Sequence, residues 1–94
     1  MNIQKLLLDV DKAIKLPSII EIGEAINKEK GVEAFTIDVN EIDLETVGMN
    51  ITIEGQNLDY KKLEEAIEKT GAVVHSIDLL SAGTRIVTPI VRER

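Results

Sequence analysis

The sequence contains no cysteine and no tryptophan, and its aromatic side chains are limited to Phe35 and Tyr60. Without thiols the chain forms no disulfide and offers no thiolate to zinc or to an iron-sulfur cluster. Histidine occurs once, at position 75, so neither a multi-histidine metal centre nor a nucleophile-base-acid triad is expected within one chain. Lysine and arginine are missing from Gly31 through Tyr60, the stretch that holds Glu33, Asp38, Glu41, Asp43, Glu45, Glu54 and Asp59. A surface of that sign repels phosphates and lacks the basic, aromatic-interleaved face that binds single-stranded RNA, so no nucleic-acid partner is expected. The opening run Leu6-Leu7-Leu8 is too short for a signal peptide or a membrane span. A cytoplasmic protein with no membrane partner is the expectation.

What the chain does have is aliphatic side chains: 44% of its 94 residues are apolar, mostly Ile, Leu and Val. That length suits a single domain spanning 1–94, since two cores of this total size would each bury too little surface to offset the chain entropy lost. Residues 81–94 read as an extended tail, with Ile86, Val87, Ile90 and Val91 set around Pro89. A small core without aromatic bulk is marginal alone, and self-association is a natural way to bury more area. The formal net charge is −6, with Arg85, Arg92 and Arg94 gathered in the tail, so a basic tail can meet the acidic middle of another copy.

An internal repeat organises the chain. Glu24-Ala25-Ile26 running to Gly31 and then Phe35-Thr36-Ile37-Asp38 returns as Glu65-Ala66-Ile67 running to Gly71 and then His75-Ser76-Ile77-Asp78. Each copy is a helix end, a glycine stop and a strand closing on Ile-Asp. Before the first copy, Lys5 to Asp11 alternates as a strand with Leu6, Leu8 and Val10 on one face. Ser18 with Glu21 forms a capping box for a helix whose stripe is Ile19, Ile22, Ala25 and Ile26. The second strand starts near Val32 with Phe35, Ile37 and Val39 inward, and the inward parity then jumps to Ile42 and Leu44, which implies a bulge near Asn40-Glu41. Val47 to Asn50 reads as a hairpin turn around Gly48, followed by a third strand from Ile51 to Glu54. Asp59 caps a second helix with Leu63, Ala66 and Ile67 on its stripe, and Val73 to Leu80 is the fourth strand. The order βαββαβ predicts an α+β, ferredoxin-like sandwich: a four-stranded antiparallel sheet with both helices on one face. The other face is then bare, with Leu7, Val74 and Leu80 as its expected apolar members, and is a candidate assembly or ligand surface.

Several segments carry a resemblance: Leu7-Leu8-Asp9-Val10, Gly31-Val32-Glu33, Glu41-Ile42-Asp43-Leu44-Glu45-Thr46, Ile51-Thr52-Ile53-Glu54-Gly55, His75-Ser76-Ile77-Asp78, and Ala82-Gly83 with Arg85-Ile86-Val87. Together they resemble the archaeal domain-of-unknown-function family 211 over nearly the whole chain. The resemblance implies an archaeal origin, the ferredoxin-like fold and homo-oligomeric, ring-like assembly, with no established activity. The chain departs from the family pattern at Lys12-Ala13, where members often have Lys-Pro, and at Leu79, where an acidic residue often follows His-Ser-Ile-Asp.

The candidate chemistry is of three kinds. Asp9, Asp11, Glu41, Asp43 and Glu45 are oxygen donors of the type Ca²⁺ or Mg²⁺ takes, although nothing has EF-hand spacing and a solvated acidic hairpin is the competing account. In the expected topology Asp9 and Asp11 lie on a central strand and the other three on an edge strand, so the two groups need not meet in one subunit. His75, equivalent to Phe35 in the repeat, is expected to be inward or half-buried, a hydrogen-bonded ring that orients the fourth strand, with a ligand or interface role as the alternative. Ser76 and Asp78 are expected on the opposite, open face, where Asp78 is a further ligand or interface candidate. Arg85 is an anchor for a carboxylate of a partner subunit or of a small acidic ligand. The composition therefore favours a non-catalytic homo-oligomer binding a small ligand or a divalent cation, Ca²⁺ or Mg²⁺, at subunit interfaces. An enzyme with a site shared between subunits, using His75 and carboxylates, and a purely structural or protein-interaction role are the alternatives.

Overall fold

The computed structural model describes residues 1–91; Arg92 and Arg94, counted above among the cations of the tail, lie outside the described residues. The elements run β1 (Ile3–Ala13), α1 (Ile19–Asn27), β2 (Val32–Ile42), β3 (Thr46–Gly55), α2 (Tyr60–Lys69) and β4 (Val73–Ala82). They form one antiparallel sheet in the order β2-β3-β1-β4, the ferredoxin-like arrangement expected from the sequence. Period-two alternation puts Leu6, Leu8 and Val10 of β1 beside Val47, Met49, Ile51 and Ile53 of β3, all on the face that the helices cover. Ile22 and Ile26 of α1 and Leu63 and Ile67 of α2 complete this aliphatic core.

Local signals set the helix ends. Ser18 Oγ accepts from Glu21 N at 3.1 Å while Glu21 Oε1 accepts from Ser18 N at 3.3 Å, so the capping box satisfies donors that the first helical turn leaves unpaired. Asp59 caps α2 by accepting from Lys62 N. Gly31 and Gly71 follow the helices at φ of +92° and +106°, a region in which a side chain is strained.

The β2–β3 hairpin differs from its sequence expectation. The turn is at Asp43–Glu45, closed by Asp43 N donating to Thr46 O at 2.9 Å, and Val47 to Asn50 lies inside β3. Gly48 is a strand glycine, paired with Asp11 on one side and Glu41 on the other. Ile42 and Leu44, expected inward, are 73% and 91% exposed, since Ile42 ends the edge strand β2 and Leu44 lies in the turn. The expected bulge is present, as a register shift between Val39 and Glu41. β4 runs two residues beyond its expected end, to Ala82, so the irregular tail starts at Gly83.

Candidate functional site on the open face of the sheet

Lys5, Leu7, Asp9 and Asp11 alternate with the buried residues of β1 and so stand on the face without helices. Their β3 partners are Glu54, Thr52, Asn50 and Gly48, and Lys5 Nζ lies 3.5 Å from Glu54 Oε2. Leu79 and Val73 of β4 pair with Leu7 and Asp11. The apolar members of this face on β1 and β4 are therefore Leu7, Leu79 and Val73. Val74 and Leu80, expected here, are instead in register with Val10 and Leu6 on the helix side.

That exchange has a physical cause in β4. Two register shifts, one opposite Leu7/Leu8 and one opposite Asp9/Val10, insert Asp78 and His75 as extra residues in the strand. Each extra residue breaks the simple alternation. His75 is consequently not inward like Phe35. Its side chain is 55% exposed and its Nε2 lies 2.7 Å from Asp11 Oδ2 on the open face. Ser76 pairs with Asp9 on the same face, as expected, and its hydroxyl donates to Asp78 Oδ1 at 2.8 Å.

Next to this pair the end of the sheet forms an open hollow of about 420 Å³, lined by Asp11, Glu45, Thr46, Val73 and His75 among others. Gly48 keeps the neighbouring surface clear: a Cβ there would sit 3.1 Å from Asn40 Oδ1 and 3.5 Å from Asp11 Oδ1. Lys12, which also lines the hollow, is buried and directs its ammonium to the carbonyls of Ala13 and Ile14, at 3.1 and 3.0 Å. Its charge is thus committed to the β1–α1 loop, and Asp11 is left to His75. With Asp9, Asp11 and Glu45 nearby, the field in the hollow favours cations.

Of the carboxylates singled out in the sequence, Asp11 and Glu45 share the hollow. Asp9 stands two residues along the open face of β1, and Glu41 lies across Gly48 from Asp11. Asp43 is in the hairpin turn, where its Oδ1 accepts from Leu44 N at 2.8 Å. Among the described residues no three His, Cys, Asp or Glu side chains converge closely enough to hold a metal ion. Arg85 is exposed in the tail and makes no ion pair among the described residues. The Asp11–His75 contact and the clearing left by Gly48 were the features that sequence reasoning missed; both depend on strand register, which no local motif encodes.

The fold and this face place the chain among ferredoxin-like α+β proteins with one uncovered sheet face. A family model described as "Uncharacterized ArCR", domain of unknown function 211, matches residues 4–93, and the chain belongs to that family. It is also similar to "Uncharacterized protein MJ0319" of Methanocaldococcus jannaschii, at 35% identity over 89 residues, which covers 95% of this chain and 91% of that protein. No helix among the described residues is long and apolar enough to cross a membrane.

Proposed function

We propose that the protein is a non-catalytic homo-oligomeric module that holds a small ligand or a divalent cation, Ca²⁺ or Mg²⁺, where the open faces of its copies meet. The observation behind this reading is that two carboxylates, Asp11 and Glu45, line one hollow, although no three metal-ligating side chains converge there among the described residues. A hard cation takes six or more oxygens, so carboxylates from a second copy, with water, would complete the shell. Leu7, Leu79 and Val73 on the same face provide apolar surface for that second copy to cover. Bringing two such acidic faces together is unfavourable unless a cation or a base such as Arg85 lies between them.

One observation favours the alternative of an enzyme with a shared site. The imidazole of His75 is held by a carboxylate at 2.7 Å, with no hydrogen bond to its other ring nitrogen among the described residues, an arrangement suited to proton transfer. The neighbouring Ser76 hydroxyl is not activated by it, since that hydroxyl donates to Asp78.

Native mass spectrometry and thermal unfolding in Ca²⁺, Mg²⁺ or chelator test the proposal. An assembled mass is expected, with a melting temperature that rises with one of the two ions and a rise that disappears in Asp11→Asn combined with Glu45→Gln. If mass and melting temperature are indifferent to both ions, the cation form of the proposal is wrong.

A further inference from the structure

The outer side of β2 is a free sheet edge, with Ala34–Val39 the regular stretch between register shifts at Val32/Ala34 and Val39/Glu41. Edge strands are commonly guarded by charge, proline or bulges. β2 has no lysine or proline, and its guards are the carboxylates Glu33, Asp38 and Glu41 and the two register shifts, which leave Ala34–Ile37 without charge. Phe35, Ile37 and Val39 pair with Ile53, Ile51 and Met49 and so stand on the helix side. Above them an apolar groove of about 440 Å³ opens between β2 and α1, lined by Ile19, Ile20, Gly23, Phe35 and Ile37 together with Glu24 and Asn27. Ile20, at its rim, is 72% exposed, and Val39 is 40% exposed. Gly23 helps shape the groove, since a Cβ there would come within 3.1 Å of the Phe35 ring.

The tail offers a segment of matching length and opposite charge. Ile86–Val91 has as many residues as Ala34–Val39, forms no regular structure, and exposes Ile86, Val87, Ile90 and Val91 by 53%, 70%, 83% and 92%. It leaves the sheet from β4, the edge farthest from β2. We infer that Ile86–Val91 of one copy adds as a fifth strand along Ala34–Val39 of a second copy, with its isoleucines in the groove beneath α1. Pro89 selects the side of the tail that pairs. It lacks an N–H, so Ile86, Thr88 and Ile90 turn their backbone groups to β2 while Pro89 turns its nitrogen to solvent. Ile86 and Ile90 share that parity and hence one face, the face that enters the groove. Glu33, Asp38 and Glu41 line a strand with no cation, whereas Arg85 precedes the paired segment and the sequence places Arg92 directly after it. Opposite charge at both ends favours association and fixes the segment against sliding. Main-chain bonding gives such strand addition its affinity and the alternating side chains its selectivity.

This inference rests on the homo-oligomeric part of the proposed function and not on cation binding. Two full-length variants test it, both altered at exposed positions so that the fold is kept. Ile86→Asp with Ile90→Asp disables the tail, and Ile20→Glu with Val39→Lys disables the groove and edge. In size-exclusion chromatography with light scattering, each alone is expected to assemble roughly thirtyfold or more weakly than the natural chain. Mixed, they are expected to form a one-to-one pair, because each retains the half the other lacks. A natural chain that is monomeric at every concentration overturns the homo-oligomeric proposal and this inference together. A natural chain that assembles, with tail variants that assemble equally well or with a mixture that does not pair, overturns this inference alone.

Discussion

His75 of β4 reaches Asp11 of β1, Nε2 to Oδ2 at 2.7 Å, because an extra residue in β4 turns the ring out of the alternation that would have buried it. Both side chains are substantially exposed, at 55% and 36%. Water and salt therefore screen their attraction, and the pair is expected to couple by less than about 1 kcal/mol. A double-mutant cycle of His75→Gln and Asp11→Asn, read by urea unfolding, measures this directly. A coupling of several kcal/mol would make the pair a structural staple and weaken its case as a ligand or proton-transfer site.

The corrected hairpin makes a paired prediction. Met49 is fully buried and in register with Val10, whereas Leu44 is 91% exposed at the turn. Met49→Ala should destabilise the fold by about 2–5 kcal/mol through lost burial and the cavity left behind, and Leu44→Ala by no more than about 0.5 kcal/mol. Equal effects in denaturant titrations would mean that the turn had been misplaced.

Gly55 and Gly48 are both strand glycines with opposite tolerances. A Cβ on Gly55 would lie 1.9 Å from the carbonyl oxygen of Gly31, a backbone atom held in place because that carbonyl also accepts from Gln56 N. Gly55→Ala is expected to cost about 2–4 kcal/mol, since the backbone itself must move. At Gly48 the nearest atoms belong to the side chains of Asn40 and Asp11, which can give way. Gly48→Ala should leave stability within about 1 kcal/mol of the natural chain in denaturant titrations, since only Asn40 Oδ1, at 3.1 Å, must shift while Asp11 Oδ1, at 3.5 Å, stays in ordinary van der Waals contact.

Tyr60 titrates abnormally. Burial, a hydrogen bond from its hydroxyl to Glu64 Oε2 at 3.1 Å, and the negative charges of Glu64 and Glu68 hold its phenol above the usual 10.0. A pKa raised in the folded state means that the neutral phenol is favoured by folding. The resulting stability is fully present below pH 10.0 and is lost as pH climbs through the raised folded value. Phenolate absorbance should show a higher midpoint in the folded chain than in urea, and Glu64→Gln should bring the two midpoints closer. An unchanged midpoint in that variant would remove Glu64 from the explanation.

Much of the fold was legible because its signals are local. The Ser18–Glu21 box, the Asp59 cap and the glycines at 31 and 71 announce the helices within a few residues, and Leu6, Leu8 and Val10 announce a half-covered strand. The site was less legible because it depends on register. Bulges carry no fixed residue signature, so His75 read as an inward residue by analogy with Phe35, although the two strands differ in where they are bulged. Gly48 read as a turn glycine because glycine most often punctuates loops. Its role as a gap beside Asp11 becomes visible only when β1, β2 and β3 are aligned side by side.

The opening residues of the chain are tied to the point where β4 ends. Asn2 O accepts from Gly83 N at 2.9 Å, and the Asn2 side chain bonds to Gly83 O, to Gln56 and to Asn57 N. The order in which the elements are connected is thus separable from how they pack. A circular permutant that joins Gly83 to Asn2 through a short linker and opens the chain at the exposed Leu44 turn would keep every strand pairing while moving both termini to the opposite end of the sheet.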